Sequence, residues 1–458
     1  MLRIFLNKKN KVKIENVIFV LIFIYFLSFS LYLVFKLKLG ISPDSYYHID
    51  VSRIFSTTLG IPENTPASFQ WRDITRMPYL YYWINGRLLN INILNINEVI
   101  YLRLFNVLYS FGTVLVTYLL TKEVFKNKYA RLLVLFLLTN SLMFVFLSSS
   151  INYDNLANLF AVLSTLFFVK SLKNISSLEN IFLMFIFLLL GVLTKYTLAP
   201  LAFVFVLILF YKWFEHRKSI KYILKGTKIW IFLSILLVLI GLNISLYGVN
   251  IVKYHSLVPE CEVILGHEAC LENGVYYRDN IDMPSEDIKG IGEVVEMVLS
   301  GERLDPVSYT FFWIYNMASK VVGIMGDQSL PMSNYILPVY MVFLLIGIIN
   351  TIKYWEKKNI VLSALTSSTV FYLLTILFTQ NYSRYIYQGY PALALQGRYM
   401  FPVISSFYII TVYYLFKIEN KTFRNTIIIL LVILFFIGCL PYFILNVPTN
   451  WFGTTPGA

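Results

Sequence analysis

The chain has 458 residues, 58% hydrophobic and only 14% charged, with mean hydropathy +0.67. A soluble domain holds about 45–50% apolar and about 25% charged residues, so a soluble enzyme is excluded and a polytopic membrane protein is expected. The net charge of +13 would point to nucleic acid in a soluble chain. Here its distribution along the chain carries the meaning, and no nucleic-acid partner is expected.

A membrane span needs about 20 apolar residues to cross ~30 Å of hydrocarbon. The first candidate is residues 17–35, nineteen residues without a charge. Its flank MLRIFLNKKNKVK resembles the basic start of a signal peptide. The run is too long for a signal core and no small-residue cleavage site follows, so it reads as an uncleaved first helix. Ten more spans follow at about 99–121, 131–150, 154–170, 180–194, 196–212, 229–249, 333–352, 359–379, 397–416 and 425–445. The expectation is an all-α membrane protein of eleven transmembrane helices, with the N-terminus cytoplasmic and the C-terminus external.

Charge supports this threading. With the N-terminus inside, the cytoplasmic segments 1–15, 121–131, 170–179, 212–228, 353–358 and 417–424 hold 23 Lys and Arg against six acids. The remaining 15 basic and 19 acidic residues fall outside or at the outer boundary. This is the positive-inside bias, and one helix more or fewer midway would invert it. Two outer segments are large, about 36–97 and about 250–332. The second carries 13 acids against 5 bases. The chain 1–458 reads as one membrane domain with no separate soluble domain. Cys261 and Cys270, nine apart in this second segment, suit a local disulfide in an oxidising exterior. Cys439, in the last span, reads as core.

Ionisable residues then gather at the outer face. Asp44 and His48 lie in SPDSYYHI at the start of the first outer segment. Asp154 lies in SSSINYDN and Lys195 in GVLTKYTLAP, both in short outer turns. Arg384 and Arg398 lie in NYSRYIYQGYPALALQGRYM. The charge-free runs beside Asp154 and Lys195 are only fifteen or sixteen residues long, and fifteen helical residues rise ~22 Å. Either these helix ends snorkel, or Asp154 and Lys195 sit at depth facing a cavity, where ionisable groups point to function. Each residue also has a plainer reading. Asp44 and Asp154 suit helix N-caps, Lys195 an interfacial anchor, Arg398 the start of a span and His48 a packed side chain. Tyr46, Tyr47, Tyr81 and Tyr82 suit an aromatic belt as well as sugar stacking.

At these residues the chain resembles the GT-C fold glycosyltransferases, in particular the protein mannosyltransferase-like and lipid A aminoarabinose transferase-like members. These multi-pass enzymes take sugar from a polyprenyl-phosphate carrier at the outer side of a membrane. Asp44 stands where the family has an acid after helix one, and RMPYLYYWINGRLL is similar to the second juxtamembrane helix of that loop. Asp154 matches the acid entering helix four, Lys195 an LTK-type turn, and Arg398 in LQGRYMFPVIS a QGRY-type element. Protein mannosyltransferases often carry Asp-Glu where this chain has Asp44-Ser45. The chain lacks the WWD motif of oligosaccharyltransferases, so en bloc transfer to asparagine is not expected.

The resemblance implies a membrane glycosyltransferase of the cell envelope, acting at the external face of the cytoplasmic membrane by an inverting displacement. Its substrates would be a polyprenyl-phosphate sugar and a glycan, lipid or protein acceptor. Asp44 is the expected general base. Lys195, Arg398 and Arg384 are expected on the donor phosphate. His48, Asp154, Tyr47 and Tyr196 are expected to position substrate. No cofactor is required. A divalent metal on Asp44, His48 and Asp50 would have a weak site, because i, i+4, i+6 spacing does not put all three on one helix face. Two rival classes fit the spans. A lipid-linked polysaccharide polymerase or ligase would leave Asp44 without a role. A transporter or flippase would place ionisable residues near the midplane, where this chain has almost none; Arg103 is the main exception, near the outer end of its span.

Overall fold

The computed structural model describes residues 8–65, 68, 74–217 and 227–453. Residues 1–7 of the basic flank and 218–226 of the fourth cytoplasmic segment lie outside them. All eleven expected spans fall on helices. The principal ones are α1 (Lys8–Lys36), α2 (Ser45–Ser56), α3 (Leu80–Asn90), α4 (Glu98–Val124), α5 (Lys128–Thr139), α6 (Leu142–Ser148), α7 (Tyr153–Lys173), α8 (Leu178–Thr194), α9 (Ala199–His216), α10 (Thr227–Asn243), α11 (Pro306–Val322), α12 (Leu337–Lys353), α13 (Ile360–Thr375), α14 (Phe401–Leu415) and α15 (Lys421–Ile437). Among the described residues, seven helices are long and apolar enough to cross a membrane, or eight if a bent pair counts as one span. The described residues hold only two isolated β-bridges and no strand.

Three departures matter. The span expected at 131–150 is not straight: α5 and α6 meet at 66°. Asn140 and Ser141 stand at the break, and their side chains donate to the carbonyls of Phe136 and Leu137, both at 2.9 Å. Such side chains compete with the helix for its own backbone. Second, Tyr153–Lys173 and Tyr196–His216 each have 21 helical residues, so the helices outrun the charge-free runs. Third, α11 was hidden in the second outer segment. Asp305 caps it by accepting from the Val307 and Ser308 N–H groups, with Pro306 at N1, a position where its missing N–H costs nothing. Tyr309, Trp313 and Met317 then bury one face.

The end of the chain returns to the end of α1. The Lys38 N–H donates to the Trp451 carbonyl at 3.0 Å, and the Gly453 N–H to the Lys36 carbonyl at 3.2 Å. An even number of crossings therefore separates the two. Arg103 is buried and closes α1 itself. Its guanidinium donates to the carbonyls of Val34, Leu37 and Lys38 at 3.1, 2.7 and 3.0 Å. These are orphan acceptors of a helix C-terminus, so Arg103 is a cap that fixes where the chain leaves α1 towards Asp44. The Cys261–Cys270 disulfide is formed, and Cys439 is free and buried.

Candidate active site

The first outer segment folds as α2 packed on α3. They pack on the first turns of α4 and α7 and the last turn of α8. Ile49, Val51, Phe55, Tyr81 and Tyr82 form the centre of this layer with Leu102, Leu156 and Leu193. Tyr81 and Tyr82 are therefore core residues rather than sugar platforms. Asn106, buried on α4, organises the layer. Its Oδ1 accepts from Tyr81 Oη, the Asn152 N–H and Asn155 Nδ2 at 3.1, 3.3 and 3.0 Å. Asn152 in turn donates to the Pro43 carbonyl at 3.2 Å, joining the SPD turn to the turn that holds Asp154.

That joint sets up a chain of alternating charges. Arg398 Nη2 donates to Asp44 Oδ2 at 2.5 Å. Arg398 Nε lies 3.5 Å from Asp154 Oδ2. Lys195 Nζ donates to Asp154 Oδ1 and rests against the rings of Tyr399 and Tyr153, 4.6 and 4.9 Å from their centroids. Arg398, Asp154 and Lys195 are buried, whereas the Asp44 side chain is 46% exposed. Charges this deep persist only when paired. The pairing overturns two plainer readings. Asp44 precedes α2 but makes no side-chain cap bond, and its φ is 56°. The cap of α7 is Asn152, which accepts from the Asp154 N–H. Arg398 does stand just before α14, but it is buried, and its Nε and Nη1 have no hydrogen-bond partner among the described residues.

The other expected residues stand elsewhere. His48 is fully buried, stacked on Tyr82 with Nδ1 2.9 Å from its hydroxyl, and meets Tyr153 edge-on. Burial holds the imidazole down to about 3, so it is neutral and cannot contact a substrate without rearrangement. Tyr47 Oη donates to Met77 Sδ at 3.3 Å. Tyr196, half exposed beside Lys195, accepts from Gln380 at 3.4 Å. Arg384 does not join the charged chain. It pairs with Asp279 and donates to Gln388 at 2.8 Å, fastening the second outer segment to the end of the helix that continues α13. The sequence reading missed Asp327, Tyr153 and Tyr399. The tyrosines adjoin Asp154 and Arg398 in sequence, which was the available signal; Asp327 gave none among 13 acids of its segment.

Among the described residues no three His, Cys, Asp or Glu side chains converge to hold a metal. Asp50 pairs with Arg53 at 2.5 Å and His48 with Tyr82, so each is engaged by a partner other than Asp44. The Arg398 guanidinium stands between Asp44 and Asp154, so these carboxylates do not form the oxygen cage a hard cation needs.

Residues 74–257 match the family model described as dolichyl-phosphate-mannose-protein mannosyltransferase. The apo oligosaccharyltransferase of Archaeoglobus fulgidus superposes with a TM-score of 0.52 at 13% identity, over 97% of this chain and 56% of that one. This shows a GT-C fold, as the sequence resemblance implied. The same protein with zinc and sulfate gives 0.49 at 12% identity, over 94% and 53%. ArnT from Cupriavidus metallidurans bound to undecaprenyl phosphate gives 0.49 at 11%, over 93% and 64%. The chain thus spans less than two thirds of each of these proteins. Comparison with curated proteins gave no match.

Proposed function

We propose that the protein is an external-face glycosyltransferase that moves one sugar from a polyprenyl phosphate to an acceptor hydroxyl. The observation that carries the reading is the Asp44–Arg398–Asp154–Lys195 chain, with one carboxylate exposed and the Nη1 donor of Arg398 unsatisfied beside it. The family match over residues 74–257 supports a lipid-phosphate donor. The donor phosphate takes the spare Nη1 donor of Arg398, which a rearrangement of the buried guanidinium must uncover, with Lys195 behind. Asp154 keeps both cations charged and in place, at a depth where fixed charges act strongly on developing negative charge.

In the reaction the acceptor oxygen bonds to the anomeric carbon as the bond from that carbon to the phosphate oxygen breaks. The electron pair leaves with the phosphate, and the acceptor proton passes to Asp44. A phosphate that draws on Arg398 also weakens its hold on Asp44, which makes the carboxylate a better base when donor is bound. A single displacement of this kind inverts the anomeric centre.

Release of labelled sugar from polyprenyl-phosphate donors tests the assignment. Asp44→Asn should be at least ~100-fold slower than wild type, the scale of general-base catalysis. Equal rates would remove Asp44 from the chemistry.

A further inference from the structure

Asp44 is one of four non-glycine residues with positive φ among the described residues. L-residues resist this region because Cβ crowds the carbonyl, and such strain persists only where surroundings over-determine it. The surroundings here come from a distant loop. Ile324 and Leu330 pair across a short reversal. This loop seats on α6 through the Met325 N–H, which donates to Met143 Sδ at 3.4 Å. It also seats on the SPD turn: the Gln328 N–H donates to the Ile41 carbonyl at 3.3 Å. At Gly326 an added Cβ would stand 2.7 Å from that same carbonyl. At the tip, the Asp327 carboxylate accepts from the Asp44 N–H at 3.2 Å, across 283 residues of sequence.

We propose that Asp327 is a positioning residue, whose carboxylate holds the Asp44 backbone in the left-handed turn that aims the Asp44 side chain at Arg398. It also places a second negative charge beside the base. The inference rests on the glycosyltransferase reading only for its effect on rate.

The test uses the full-length protein with Asp327→Ala and Asp327→Asn. Alanine removes both acceptor and charge, and should lower kcat about ten- to hundredfold with the donor KM within about twofold, the cost of a small misplacement. Asparagine keeps an oxygen for the Asp44 N–H and should recover most of that rate. Both variants remove a negative charge near the base, so the acid limb of kcat/KM should move to lower pH in both, which a packing role alone would not do. Alanine matching wild type in rate and acid limb overturns the proposal. Amide exchange over Ser42–His48 tests the hydrogen bond without turnover. Exchange should be faster in the alanine variant and near wild type in the asparagine variant; equal protection in all three overturns it. Absence of wild-type turnover alongside the expected exchange pattern would sink the glycosyltransferase reading and leave the positioning of Asp44 standing.

Discussion

At the scale of single residues, the site separates reach from support. Asp44 is open, whereas Asp154, Lys195 and Arg398 are buried beneath it. Support extends to His48, whose neutral ring fills an aromatic box of Tyr47, Tyr81, Tyr82 and Tyr153. Its folded value near 3 lies below the unfolded 6.5. Between these values the unfolded chain binds the extra proton, so stability falls as pH drops from about 6.5 towards 3, by up to ~1.4 kcal/mol per unit. Thermal unfolding of wild type should therefore shift down between pH 7 and pH 4.5 by more than that of His48→Gln. Equal shifts would mean that His48 is not held neutral. The sequence exposed His48 as unusual, one of four histidines, but not as buried; only packing of α2 on α3 decides that.

At the scale of elements, close backbone approach places Arg398. Gly397 lies against the main-chain carbonyl of Lys320 on α11, where an added Cβ has no room. Lys320 Nζ also donates to the Leu395 carbonyl at 2.8 Å. The segment carrying Arg398 is thus clamped to α11 at Leu395 and at Gly397. Gly397→Ala must part the two backbones, and overpacking of this kind costs about 1–3 kcal/mol. A lower unfolding temperature together with slower sugar transfer is expected. A variant with wild-type stability and rate would show that the clamp does not fix Arg398. The QGRY element was legible as a motif, but the need for its glycine was not, because α11 read as part of an outer loop.

At the scale of the whole molecule, the proposal requires that Asp44 and the second outer segment face the outside. Single cysteines replacing Glu286 and Lys357, in a background without the native cysteines, test this in right-side-out vesicles. A membrane-impermeant maleimide should label position 286 and spare 357 until the membrane is opened; the reverse pattern would invert the topology. The return of residues 451–453 to the end of α1 already ties the parity of crossings to one molecule-wide constraint.

The sequence by itself determined that the chain lives in a membrane and where most of its apolar helices run. Those properties follow from apolar run length and from charge alternating between loops, both local and additive along the chain. It also brought Asp44, Asp154, Lys195 and Arg398 under one heading. Only the tertiary structure decided that these four pair with one another, that Arg384 pairs with Asp279 instead, and that Asp327 holds Asp44. Partners separated by 41, 354 or 283 residues are chosen by helix packing and loop docking, to which no local pattern is sensitive.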